Sequence, residues 1–426
     1  MRSKPYSATS VKSIHVADMV LKRDGQACDV GLDVSKSEFL VVVRWSTGSF
    51  ERPWRVHLDE LSLFVEKLNQ LAIGRDLVIA MEPSGSYCDP VRQVLHNAGF
   101  RVHRVKPKLS HDYAEVLDGV PSQHDGKDAA CVAELSALKK RAEWPWDPTA
   151  QELKYEIDWM DAQQQSETKW LARLEGLLGR YWPEVTHILR MNSATLLKVL
   201  QKYGGPAALA ADPNAAKQLK HWGGSKLDDE KINRLLKSAA NTAGVLSDSA
   251  SVKQFQRYAT EALKCRSEVT RAKKELKRLT ANNEVVLRQS KVVGHGTAAV
   301  LWARLGDPND YHCANAYCKA MGLNLKERSS GYWKGHLKIS KRGSSQVRRW
   351  LFFAALRYSH NPWLAGWYQK RKNRGEGHAM RAVVALMRKL SLSLYYVGRG
   401  SKFDVHRLVP GAARFVARKR KVIALG

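Results

Sequence analysis

Acids are scarce in this chain. Its 41 Asp and Glu stand against 70 Lys and Arg over 426 residues, a formal net charge of +29. Such an imbalance rules out an acidic solvating protein and points to a polyanionic partner. Long hydrophobic runs are also missing. No stretch approaches the ~20 apolar residues that a membrane span needs. The opening "MRSKPYSATSVKSIHVADMV" has no apolar leader core, so a cytoplasmic protein without a membrane partner is expected. The six cysteines, at 28, 88, 131, 265, 313 and 318, show no CxxC spacing. That argues against a disulfide framework and against zinc.

What is present is a concentration of positive charge near the end of the chain. Residues 321–426 carry 24 Lys and Arg against Glu327, Glu376 and Asp404. Trp333, Trp350, Trp363 and Trp367 lie in the same stretch. Cations interleaved with aromatics suit nucleic acid better than a lipid surface. Within it, "ERSSGYWKGHLKISKRGSSQVRRW" sets a Ser-Ser-Gly step at the head of a basic run. Two readings stand: a surface loop, or a hydroxyl nucleophile held against a phosphate backbone.

The length exceeds what one core usually organises, about 250–300 residues, and the patterns divide it. Residues 1–28 read as a polar lead. Over 29–147 the order is β-β-α-β-α-β-α. "DVGLDV" alternates, Phe39–Val43 is apolar, "DELSLFVEKLNQL" and "DPVRQVLHNAGF" are amphipathic helices, and "DLVIAMEPSGSY" is a buried strand. That is a layered α/β domain, closing at "EWPWDP". Residues 148–288 have little strand signal. Phe255, Ala262, Val269 and Leu276 recur every seven residues, with Tyr258, Cys265, Ala272 and Leu279 three later. The heptads predict a coiled coil that assembles a dimer or tetramer, or a helical hairpin within one chain. Residues 289–426 read as basic and helical, entered through the glycine turn of "KVVGHGTAAVLWARLGD", a geometry that can present N–H groups to phosphate.

Four acids fall at telling places. Asp33 ends the first strand and Glu82 ends a central one. Asp125 and Asp128 are three apart at a helix start, so both can face one way. Strand ends and a helix start on one edge of an α/β sheet can converge. Carboxylates so crowded repel unless a cation joins them, and hard oxygen ligands suit Mg²⁺ or Mn²⁺.

"VGLDVSKSEFLVVV", "IAMEPSGSYCDPV" and "HDGKDAACVAEL", followed by "VVGHGTAAVLWARLGDPNDYHCANAYCKAMGLNLKERSSGYWKGHLKISKRGSSQVRRWLFFAAL", resemble the ordered blocks of the DEDD transposases of the insertion-sequence one-ten family, relatives of Piv-type DNA invertases. The resemblance covers roughly 29–140 and 285–405. It implies a RuvC-like, RNase H-type first domain holding Mg²⁺ through Asp33, Glu82, Asp125 and Asp128. It implies a mainly α-helical second domain supplying Ser330 as nucleophile, with Ser329 the local rival. Further implications are a 5′-phosphoserine link to donor and target DNA, a structured bridge RNA as guide, and a helical middle that drives oligomerisation. In that setting Lys334, Lys338, Lys341, Arg342, Arg348 and Arg349 are expected to meet nucleic acid, in the nucleoid of a prokaryote. Val293 and Leu325 stand where the family usually has proline.

Three other functions fit parts of the pattern. A RuvC-like junction nuclease would use the acids and water without a serine. An actin-like kinase would explain "GLDVSK" but needs a further glycine-rich phosphate loop, and none is evident. A non-catalytic nucleic-acid scaffold would leave the acids as caps of strands and helices.

Overall fold

The computed structural model describes residues 7–414 except 24, 84, 121–123, 328, 331–332, 335–336 and 376; of Ser329, Ser330, Trp333 and Lys334 it describes the backbone alone. The chain divides into two compact units, Met1–Pro148 and Thr149–Gly426.

The first unit is a mixed sheet with helices on both faces. Its strands are β1 (Thr9–Ser10), β2 (Cys28–Val34), β3 (Glu38–Trp45), β4 (Trp54–His57), β5 (Leu77–Met81), β6 (Val102–Val105) and β7 (Arg141–Glu143), with helices α1 (Val16–Leu21), α2 (Leu61–Ala72), α3 (Cys88–Asn97), α4 (Pro107–Asp118) and α5 (Asp125–Ala137) between them. The strand order is β1-β4-β3-β2-β5-β6-β7. β2, β3 and β4 form an antiparallel meander, and β5 and β6 continue parallel to β2.

Alternation in the central strands decides which face each residue serves. Val30 and Leu32 of β2 and Phe39, Val41 and Val43 of β3 pack with Phe64, Leu68 and Leu71 of α2 and Val91 and Leu95 of α3. Leu40 and Val42 point the other way, against Ala129 and Ala130 of α5. Asp29, Gly31 and Asp33 share that second face. The result is a ladder between β2 and α5. Asp29 accepts a bond from Ser136 Oγ at 2.5 Å near the end of the helix, Gly31 lies under its middle, and Asp33 meets its start. Gly31 is what lets the helix come down. A Cβ there would sit 2.2 Å from the Ala129 carbonyl and 2.4 Å from the Ala133 nitrogen. Gly31→Ala should therefore lift α5, cost about 2 kcal/mol of stability and weaken any ligand site at the start of α5. A denaturation midpoint equal to wild type would contradict this.

The structure adds elements that periodicity did not suggest. The polar lead supplies β1, α1 and two core residues, Val11 (0% exposed) and Val16 (2%). "WRVH" forms a third meander strand, β4, and α4 starts on Pro107, where proline needs no partner for an N–H. The "WPW" stretch closes the unit. Arg92, 2% exposed, lies 4.2 Å from the Trp144 ring and 4.7 Å from the Trp146 ring.

The second unit is mostly helical. α6 (Pro148–Tyr181) and α12 (Ser249–Leu279) are long arms joined through α7 to α11, which run from Val185–Ile188 to Asp229–Ala240. Contacts pair early residues of one arm with late residues of the other, so they run antiparallel: Glu152 with Arg278, Trp159 with Glu268, Glu167 with Arg266, Trp170 with Tyr258, Tyr181 with Phe255. Phe255 and Ala262 lie in a core with the connecting helices, whereas Val269 and Leu276 join the core of the last part of the chain. All four are buried within a single chain. The heptad positions are thus covered from within the chain, largely by the connecting helices and the last part of the chain, so the expected use of these residues as an assembly seam is corrected. A seven-residue period requires a packed partner helix but does not say whose.

The remaining helices are α13 (Glu284–Val293), α14 (His295–Leu305), α15 (Ala314–Ala320), α16 (Ser345–Ser359), α17 (Pro362–Lys372), α18 (His378–Gly398) and α19 (Val405–Leu408). Between α15 and α16 lie, among the described residues, four two-residue strands. β8 (Leu325–Lys326) pairs with β11 (Lys338–Ile339), and inside them β9 (Ser329–Ser330) pairs with β10 (Trp333–Lys334).

Candidate active site

The four acids come from three pieces of the first unit. Leu32 of β2 pairs with Met81 of β5, so Asp33 and Glu82, each one residue further on, leave neighbouring strands side by side. α5 contributes Asp125 and Asp128 from its first turn. The carboxylates of Asp33, Asp125 and Asp128 each offer an oxygen within 4.8 Å of the others. Among the described residues no ion pair joins these three carboxylates. Burial first, then the charges of Asp128, Asp125 and Glu82, push the Asp33 carboxyl up to about 7. Asp128 is raised as well, by burial and then Asp125, against the pull of Lys127, His111 and His124. Lys127, the cation between the two aspartates in sequence, is turned away. Its fully buried ammonium lies 2.6 Å from Asp118 Oδ1 and 2.5 Å from the Val120 carbonyl, tying down the approach to α5.

Glu82 stands slightly apart from the other three. It lies near enough to raise Asp33, but its Oε2 accepts a bond from the hydroxyl of Ser110 on α4. Ser110 is 2% exposed. Its role was not legible in the sequence, which held no sign of α4. Ser110→Ala should free Glu82 and lower divalent-metal affinity by about 10- to 100-fold, while Ser110→Thr should keep most of it. Titration calorimetry that shows no change in Ser110→Ala would remove Ser110 from the site.

Three hard oxygen donors within a few ångströms are a donor set for Mg²⁺ or Mn²⁺ and a poor one for zinc. When bound, such an ion polarises a phosphodiester and lowers the charge at a leaving oxygen.

Comparison with known families follows this geometry closely. Residues 30–183 match the DEDD transposase family of IS110, a stretch that contains all four acids. Residues 285–369 match the family described as Transposase IS116/IS110/IS902. The chain belongs to the IS110 transposases. It is therefore a DNA transposase, an enzyme of DNA recombination, and its family points to use of a divalent metal. A search of curated proteins gives no match. Among the described residues no helix is long and apolar enough to cross a membrane.

The second match spans the transposase's basic block. Lys338, Lys341 and Arg342 are exposed there. Lys341 has a φ of +57°, unusual for a side chain with a Cβ, and its N–H bonds the Gly322 carbonyl at 2.9 Å. Gly343 makes this turn possible, since a Cβ on it would meet the Ala320 carbonyl at 2.3 Å. The two arginines that follow have protein partners. Arg348 Nη1 donates to the Gly343 carbonyl at 2.7 Å and the Met321 carbonyl at 3.3 Å, and burial lowers its pKa. Arg349 is paired with Asp161 of α6, a buried carboxylate that also accepts from Trp350 Nε1 at 3.1 Å. Arg348 and Arg349 are thus engaged inside the fold, unlike the free cations of the sequence reading. Ser330 and Lys334 are placed by their backbones in β9 and β10; their side chains lie outside the described residues.

Proposed function

We propose that this transposase cuts and rejoins DNA through a 5′-phosphoserine intermediate on Ser330, with Mg²⁺ held by Asp33, Glu82, Asp125 and Asp128. The observation that carries the reading is the acidic cluster in a chain whose two matched stretches both belong to DNA transposases. In the step proposed, Ser330 Oγ forms a bond to phosphorus as the P–O3′ bond breaks. The serine proton passes to a nearby base, and the departing 3′ oxygen takes up a proton. The backbone of Ser330 lies on strand β9, paired across to Trp333. Lys334, Lys338, Lys341 and Arg342 hold the phosphate backbone without reading sequence.

Sequence choice is assigned to a structured bridge RNA pairing with donor and target, and the active form to a dimer or tetramer. Because the heptad residues are covered within the chain, assembly must use other surfaces. Strand transfer on supercoiled DNA, with and without Mg²⁺ and with the RNA that copurifies, tests the reading. Metal-dependent nicking without transfer, and without a protein–DNA adduct, would replace it with a junction nuclease that uses water. Sequencing of copurified nucleic acid that finds no discrete RNA would remove the guide.

A further inference from the structure

A cavity of about 480 Å³ opens beside the turn from α13 to α14. Lys273 and Lys277 of α12, Arg357 of α16, Trp350 and residues 292–297 line it, and none of the lining residues is a carboxylate. Both lysines are exposed and have no ion-pair partner among the described residues. Arg357 donates Nη2 to the Val293 carbonyl at 2.7 Å, which leaves most of its guanidinium unused.

The turn is shaped for close approach. Gly294 has a φ of +83°, and α14 begins without a side-chain cap, so its first N–H groups have no helical acceptor. His295 also lines the cavity, and its Nε2 lies 2.8 Å from Thr280 Oγ1. Thr297 is the decisive residue. It is 3% exposed, it lines the cavity, and its hydroxyl has no hydrogen-bond partner among the described residues. A hydroxyl, free N–H groups and three cations around one volume leave it short of acceptors and of negative charge.

We propose that this cavity binds a phosphate of a nucleic-acid strand. The Thr297 hydroxyl and the free N–H groups of α14 donate to its oxygens, and Lys273, Lys277 and Arg357 balance its charge. The site rests on reading the chain as a nucleic-acid enzyme, but on neither the acidic cluster nor Ser330.

The test uses the full chain in EDTA, so that metal chemistry plays no part. Binding of a short oligothymidine and of its oligouridine counterpart is measured against salt, alongside hydrogen exchange at residues 290–300 with each oligonucleotide and with inorganic phosphate. Thr297→Val, which keeps the shape, should weaken binding about fivefold. Lys273→Gln with Lys277→Gln should reduce the log–log salt slope by about 0.7, the contribution of one phosphate contact on a single strand. The N–H groups of residues 295–297 should be protected by oligonucleotide in wild type and much less in the lysine pair. Whichever oligonucleotide gives the larger effect identifies the strand. Unchanged affinity and slope in both variants would overturn the proposal. So would protection by inorganic phosphate alone with none by oligonucleotide, which would make the site one for a free anion.

Discussion

Asp33→Asn should abolish strand cleavage, by roughly a thousandfold or more, and at the same time make the metal-free transposase harder to melt above pH 7. The two effects have one cause. Asp33 is half-buried beside Asp128, Asp125 and Glu82, and its carboxyl is pushed from 3.8 up to about 7. Between those values the folded chain holds a proton that the unfolded chain has released. Stability of the metal-free protein must therefore fall as pH rises through that window, with the full penalty present above about 7. Asparagine removes the charge, and the penalty with it. It also removes one of the proposed metal ligands, and loss of several kcal/mol of transition-state stabilisation corresponds to roughly a thousandfold in rate. Melting in EDTA at pH 6 and pH 8 separates wild type from variant: wild type should lose stability between them, and the variant should lose clearly less. Added Mg²⁺ should raise the wild-type melting temperature more at pH 8, because the ion competes with the proton. A variant that still cleaves DNA, or one with the wild-type pH slope, would show that Asp33 is not at the centre of the cluster.

The convergence of Asp33, Asp125 and Asp128 was legible because strand ends and helix starts have predictable directions. "DVGLDV" alternates strictly, which fixes Asp33 on the face away from α2 and α3. Gly31 was not legible in the same way. Its meaning depends on the distance to Ala129 and Ala133, about a hundred residues away, and one-dimensional patterns hold no such distance. The same limit explains Arg348 and Arg349. In the sequence they extend a basic run, but in the fold one caps carbonyls and the other meets Asp161, nearly two hundred residues earlier. The heptads correctly required packed partners for α12, and the connecting helices and the last part of the chain largely supply them. The short strands around Ser329 and Ser330 were missed because two-residue strands have no period to detect.

Ser330→Ala should leave RNA and DNA binding near wild type, yet yield no covalent protein–DNA adduct after denaturation. A metal site of acids alone can hydrolyse DNA with water, so the serine must change the outcome. Hydrolysis discards the energy of the broken phosphodiester, whereas a phosphoserine ester keeps it, and rejoining to a new partner then needs no ATP. A hydroxyl is a weak nucleophile unless it is positioned or deprotonated, and the preceding residue, Ser329, shares the strand β9. The adduct is expected on one hydroxyl of the two, which makes the pair of substitutions decisive. Ser329→Ala should retain most of the adduct, detected as a band shift on denaturing gels and as a nucleotide-modified peptide by mass spectrometry. An adduct that survives Ser330→Ala and vanishes in Ser329→Ala would transfer the role to Ser329. A wild-type protein that recombines DNA with no adduct at any time would leave the serine without a covalent role, and water activated at the acidic cluster would be the nucleophile.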